Sequence, residues 1–371
     1  MFVAGDPSGD EHASHVVKQL LARMPGMQCV GIGGPAMQAQ GFTSLMPFEE
    51  FNRMGLWEVL IHLPFFLRAK KRLIAEMDLQ KPYALVCVDY PGLNIPLMEE
   101  AHRRGIPVVW YIVPQVWAWK KKRAAMLGDR ASFIGVVFPF EVDFFKSYKA
   151  PVFFVGHPLV EAMEETPRIA ASRAFFDSPS GVFRLSLVPG SRPQEVSSIL
   201  PSMIEAALLL QKRHPRIAIT VSKSRNLPSE LFHRQCSRGR IELFEGALPG
   251  LLSRTDGAFV TSGTATLETA LAKVPMVIVY RTSALTYAIM KRMIQIPFIG
   301  LPNIVAGEKI VPECIQRDFN PPRLAEEMNK FIVSKDYYHT TVEKLSRLRQ
   351  LFGDRKPSME IAEAIASLVK K

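Results

Sequence analysis

The chain reads as two α/β units in series, each built on a mainly parallel sheet. Three observations predict this. Short apolar, β-rich runs alternate with longer amphipathic segments, the pattern of parallel strands joined by crossover helices. The alternation stops at a looser stretch, "TPRIAASRAFFDSPSG", and then resumes in the same style. The length of 371 residues exceeds one ordinary core and suits two domains of about 100–200 residues each.

In the first unit the strand candidates are "MFVAG", "CVGIGG", "ALVCVD", "PVVWYIV", "FIGVVF" and "VFFVGH". In the second they are "RLSLVPG", "IAITVS", "IELFEG", "GAFVTSG" and "PMVIVYR". The tail, from "PPRLAEEM" to "SMEIAEAIASLVKK", carries apolar residues at i, i+3 and i+4 and is predicted helical. The expected boundaries are residues 1–165, 166–340 and a helical tail over 341–371 that covers the first domain or a partner subunit. Doubly wound sheets bind ligands at the carboxyl ends of their strands, so function is expected in the strand-end loops.

A composition of 48% hydrophobic and 22% charged residues excludes a disordered chain. The 46 Lys and Arg against 35 Asp and Glu give a net charge of +11, which favours anionic partners such as nucleotides or phospholipids. No RNP, helix-turn-helix or OB pattern accompanies that charge, so nucleic acid is not the expected partner. Four dispersed cysteines, Cys29, Cys87, Cys236 and Cys314, make neither a C-x-x-C pair nor a zinc spacing. No apolar run reaches the ~18–20 residues of a membrane span, and a basic, apolar, cleavable leader is absent. A reducing, cytoplasmic setting is the expectation.

Four loops could carry chemistry. In "GDPSGD", Gly5 ends a strand and Gly9 sits where a helix begins, so free amides could meet an anion or sugar hydroxyls. Ser8 and Asp10 could equally be plain helix caps. In "LVCVDYPGLN", Asp89 closes an apolar strand and suits a general base, or else caps the following turn. In "LVPGSRPQEV", Ser191 and Arg192 could meet phosphate, with a simple capping box through Glu195 as the alternative. In "VTSGTATLETALAK", Ser262, Gly263, Thr264 and Ala265 form a small-residue turn whose amides suit a pyrophosphate, and Glu268 lies one turn further on. A capped helix with a solvated Glu268 explains that stretch as well.

Two further features need a reading. His12 and His15 stand at i and i+3, but no third ligand is spaced to complete a metal site, so a solvated helix face is expected. The segment from Met54 to Arg72 joins Trp57, Phe65, Phe66 and Leu67 to Arg68, Lys70, Lys71 and Arg72, the mixture of bulk and cations that suits an anionic membrane surface. "WAWKKKR" from Trp117 to Arg123 adds a second such cluster. One helix with a buried and a solvated face is the plainer alternative.

The motifs "AGDPSGD", "GIGGPAMQAQG", "MGLWEVL", "VDYPGLN", "PQVWAWKKKR", "PFE", "VGHPL", "LVPGSRPQEV", "SGTATLE", "MVIVYR" and "LPNIVAGEKIVPE" follow one another in this order. Together they resemble the lipid-A-disaccharide synthases over nearly the whole chain. The resemblance implies the GT-B architecture, two Rossmann-like domains facing across a cleft, with acceptor bound by the first and nucleotide sugar by the second. It implies an inverting, metal-independent transfer from UDP-2,3-diacylglucosamine to 2,3-diacylglucosamine 1-phosphate, forming a β-1,6 disaccharide and releasing UDP, with no cofactor. By the same likeness Asp89 matches the base, while Arg192, Glu268 and Asn303 match residues around the nucleotide or needed for activity. Gly5, Asp6, Ser8, Gly9 and Asp10 match a loop on the acceptor side, with Met54 and Trp57 beside the acyl chains. The likeness further implies peripheral attachment to the inner face of the cytoplasmic membrane and a homodimer that exchanges C-terminal segments. It departs at Asp6, where the family pattern carries the longer Glu, which puts any direct contact by Asp6 in doubt. Another GT-B hexosamine transferase or an epimerase would share the nucleotide loops, and a non-catalytic, membrane-docked nucleotide-sugar binder is the reading from a different class.

Overall fold

The computed structural model describes residues 1–51, 63–119, 121–148, 150–165, 181–224, 227–237, 239–283, 287, 292 and 296–369. Met54 and Trp57 lie outside the described residues. The chain divides into two compact units, Met1–Ala162 with Asp354–Lys371, and Met163–Gly353.

The first unit holds a seven-stranded sheet: β1 Phe2–Ala4, β2 Val30–Ile32, β3 Thr43–Ser44, β4 Leu85–Val88, β5 Val108–Tyr111, β6 Phe133–Val136 and β7 Val152–Phe154. The order is β3-β2-β1-β4-β5-β6-β7, and every pairing is parallel. β1, β4 and β5 are buried along their whole length, which is why they read as unbroken apolar runs rather than alternating ones. The second unit repeats the plan with β8 Phe183–Val188, β9 Ile217–Ser222, β10 Ile241–Phe244, β11 Gly257–Thr261, β12 Met276–Tyr280 and β13 Glu313–Ile315. Its order, β10-β9-β8-β11-β12-β13, is also wholly parallel.

In each sheet the order reverses once, between β1 and β4 and again between β8 and β11. Strand order of this kind opens a crevice at the carboxyl ends of the two strands flanking the reversal. The chain leaves β1 into Gly5 and β4 into Asp89; it leaves β8 into Pro189 and Gly190, and β11 into Ser262.

The helical tail is shared between the units. Helix Lys335–Phe352 lies in the second unit, where Tyr338, Leu345 and Leu348 are buried. Gly353, at φ +60, stops that helix in a conformation a side chain would strain. Helix Pro357–Val369 belongs to the first unit and packs along helix Pro7–Arg23 and against β5 and β6. It is pinned there by Glu161, whose carboxylate accepts from the Ser358 amide at 3.1 Å and from the Ser358 hydroxyl. All four cysteines are buried and unpaired.

Candidate active site

The first switch point is built around a sharp elbow. Asp89 and Tyr90 both take the left-handed conformation, φ +42 and +47, before helix Pro91–Arg103 begins. For residues other than glycine this is unfavourable by roughly 1–3 kcal/mol each, and such strain persists only where the surroundings hold it. Here the holding group is Asn94, fully buried, whose side-chain NH2 donates to the carbonyl oxygens of Asp89 at 2.7 Å, Val3 at 3.2 Å and Val88 at 3.3 Å. The Asp89 amide donates to Tyr111 O at 3.1 Å, and the helix closes its first turn on Tyr90 O.

The elbow turns the Tyr90 ring over Gly5. A Cβ on Gly5 would sit 2.5 Å from that ring, so the glycine is required by close approach. On its far side Tyr90 faces Phe66 at 6.3 Å, and Phe65 stacks edge-on against Phe51 at 4.8 Å. Burial, reinforced by the charge of Asp6, pushes the Asp89 carboxyl up to about 7, against the opposing hydrogen bond from the Tyr90 amide. Burial and Asp6 likewise raise the Tyr90 phenol to about 12. A carboxylate near 7 is basic enough to take a proton from an alcohol as it attacks, with about half of the groups ionised at neutral pH.

The rest of "GDPSGD" is mainly a helix start. Asp6 is the N-cap of helix Pro7–Arg23 and accepts from Gly9 N at 2.5 Å. Asp is among the best N-cap residues, which gives the shorter side chain at this position a role of its own. Asp10 is buried and accepts from the amides of Gly34, Ala36 and Met37 at 2.8–3.1 Å, so its carboxylate closes the "GIGGPAM" turn. A Cβ at Gly9 would crowd the Asp6 carboxylate that caps the helix, at 3.0 Å, while meeting Ala4 and Val88 only in ordinary contact. Ser8 is exposed and shares a 3.2 Å hydrogen bond with His12. Burial, with His15 nearby, lowers His12 to about 4 and leaves it neutral.

At the second switch point the groups are of opposite character. Gly190 has φ +109, and a Cβ there would meet the Glu195 carboxylate. Ser191 and Arg192 are exposed; Arg192 is the N-cap residue of helix Pro193–Arg213 and makes a loose 3.5 Å ion pair with Glu195. Tyr280, at the end of β12, sits near both, its phenol raised by burial and Glu195 and lowered by Arg192. Gly263 and Thr264 are exposed at the start of helix Thr264–Leu271, where the first amides have no intrahelical acceptor. Glu268 is partly buried one turn in, and burial pushes it up to about 7.

Ser262 faces inward and donates to Ile299 O at 3.0 Å. Asn303, expected beside the nucleotide or needed for activity, is fully buried. Its side chain accepts from Ile310 N and Val311 N at 2.8 and 3.0 Å, and donates to Val311 O and Glu313, both at 2.9 Å. Glu313 also accepts from Ile299 N at 3.1 Å and Gly300 N at 2.9 Å. Asn303 and Glu313 thus brace the loop on which Ser262 rests.

The aromatic-basic segment divides. Phe65 is core, 8% exposed, while Leu67, Arg68, Lys71 and Arg72 face outward from helix Leu63–Gln80. Trp117 is also buried, its ring N–H donating to Glu141 at 3.0 Å. Glu141, itself raised to about 7 by burial, takes the amides of Val137 and Phe138 as well. The sequence gives no warning of the Asn94 or Glu141 roles, since a lone Asn or Glu in an amphipathic helix reads as surface.

Two wholly parallel α/β sheets, each with its loops gathered at a strand-order reversal, define a two-domain α/β protein of the GT-B glycosyltransferase fold. The solved structure of Acinetobacter baumannii MurG is similar, with a TM-score of 0.58 and 17% identity over 99% of this chain and 98% of that one. The family model for lipid-A-disaccharide synthetase matches residues 1–366, and the chain belongs to that family. It is 37% identical to the lipid-A-disaccharide synthase of Chromobacterium violaceum, over 89% of this chain and 86% of the relative. To that of Geobacter sulfurreducens it is 35% identical over 100% and 97%. It is therefore a glycosyltransferase that forms the lipid A disaccharide from lipid A precursors.

Proposed function

We propose that Asp89 is the general base of this transfer and that the second unit holds the leaving nucleotide. The donor is UDP-2,3-diacylglucosamine and the acceptor is 2,3-diacylglucosamine 1-phosphate. Asp89 takes the proton of the acceptor 6-hydroxyl as the oxygen attacks the anomeric carbon; the bond to the UDP phosphate breaks in the same displacement and the centre inverts. Arg192, Ser191 and the amides of Gly263, Thr264 and Ala265 receive the charge that builds on the departing diphosphate. Glu268 takes the ribose hydroxyls. The observation that carries this reading is the carboxyl of Asp89, held on a strained elbow at a switch point and raised to about 7.

The experiment uses the purified protein with the two diacylated substrates and follows disaccharide and UDP by mass spectrometry. Product from the wild type and none above background from Asp89→Asn is the expected result; normal turnover in Asp89→Asn removes it from the base role.

The same reading extends to the setting. No helix among the described residues is long and apolar enough to cross a membrane. The exposed Leu67, Arg68, Lys71 and Arg72 support peripheral attachment to anionic lipid, which we assign to the inner face of the cytoplasmic membrane. A homodimer is proposed with it, supported by the family likeness and read out by sedimentation.

A further inference from the structure

We propose that Asn94 is a positioning residue for the transfer: its side-chain amide clamps the ends of β1 and β4 together and holds the Asp89–Tyr90 elbow in its left-handed turn. This rests on the reading of Asp89 as the base.

At the end of a parallel pair the ladder runs out, and the last C=O groups need partners from elsewhere. Asp89, just past the end of β4, supplies such an oxygen, and one buried NH2 group lies within 3.3 Å of it and of the Val3 and Val88 oxygens on the paired strands β1 and β4. The shortest contact, 2.7 Å, goes to Asp89 itself. Two consecutive non-glycine residues at positive φ relax unless tied, and the tie must act on the elbow's own carbonyl. No other amino-acid side chain of this length offers two N–H groups from one atom, so the position asks for asparagine. Its Oδ1 is buried without a hydrogen-bond partner among the described residues, a loss tolerated for the sake of the donors.

Releasing the clamp lets the elbow relax and water reach the carboxyl. Among the described residues the charged group facing Asp89 is Asp6, with the Tyr90 phenol beside it. A solvated Asp89 returns towards the ordinary carboxylate range.

The test compares Asn94→Ala with Met98→Ala, a cavity one turn further along the same helix at a fully buried position whose side chain offers the elbow no hydrogen bond. For Asn94→Ala, kcat falls by tenfold or more, about the scale of a sub-ångström to ångström misplacement. KM for the nucleotide sugar stays within about twofold, and the acid limb of kcat moves to lower pH. For Met98→Ala the melting temperature falls comparably, while kcat and the limb stay put. Asn94→Ser, with one hydroxyl donor and room for a water, gives an intermediate kcat, and carries the same comparison should the alanine variant melt below the assay temperature. Unaltered kcat in Asn94→Ala, or a loss matched by Met98→Ala with the limb unmoved, overturns the proposal. Asp89→Asn is assayed alongside: if it is dead while Asn94→Ala is normal, the positioning role alone is wrong, and if it turns over normally, the base assignment fails first and the positioning role with it.

Discussion

The two switch points share one topology and differ in almost everything else. At the first, a strained Asp89–Tyr90 elbow is tied from beneath by Asn94 and sits close to Asp6, so the local field is negative and the carboxyl is hard to ionise. At the second, the groups at the surface are Ser191, Arg192, Gly263 and Thr264, two backbone turns and a cation. Strand-order reversal supplies an opening; the residues that follow each strand decide whether it accepts a proton or an anion. One topology therefore presents two kinds of loop chemistry, a buried carboxyl in the first unit and exposed turns with a cation in the second.

The contrast is broken most severely at Asp89. In Asp89→Asn we expect turnover to fall by about 10²–10⁴, the usual worth of a general base, with UDP affinity by calorimetry unchanged. Second in size is Arg192→Ala, expected to weaken UDP about 10–100-fold, in line with roughly 1.5–3 kcal/mol for hydrogen bonds to charged groups. Wild-type affinity in that variant would contradict the phosphate role.

A pH series sharpens the same contrast. Asp89, Glu141 and Glu268 are each raised to about 7, so the folded protein keeps protons that the unfolded chain loses near 4. Their contribution to stability is whole below about pH 4 and is lost as pH rises through about 7. Melting temperatures should drop less steeply over that window in Asp89→Asn than in the wild type. Activity runs the other way, because the base must be ionised, and kcat should rise with pH to a limb near 7. The smallest effect is expected for Leu67→Ser, a modest loss of flotation with anionic liposomes and no change in turnover on detergent-dispersed substrates.

Much of this was legible in the sequence. Unbroken apolar runs such as "ALVCVD" and "GAFVTSG", each ending in a small or acidic residue, mark buried parallel strands and the loops beyond them. Which member of a loop faces ligand was not legible. Asp10 is expected as a helix cap or on the acceptor side and Asn303 beside the nucleotide or needed for activity, yet the side chains of both are engaged by backbone amides, because the number of unpaired N–H groups nearby depends on the fold. Phe65 and Trp117 look interfacial beside their cations, but the helices that carry them turn those rings inward. Asn94 closes the "VDYPGLN" motif, but its role is not legible there, since its three acceptors come from residues 3, 88 and 89.

Helix Pro357–Val369 completes a core begun at residue 1: Ile361 is fully buried against Gly135, and Ser358 is locked to Glu161. The half that carries the elbow is thus discontinuous in sequence, whereas residues 163–353 form an uninterrupted stretch. During synthesis, the unit of residues 163–353 has all its residues before the unit that carries the elbow does. The unit that carries the Asp89 elbow closes only once helix Pro357–Val369, made far downstream of it, has docked.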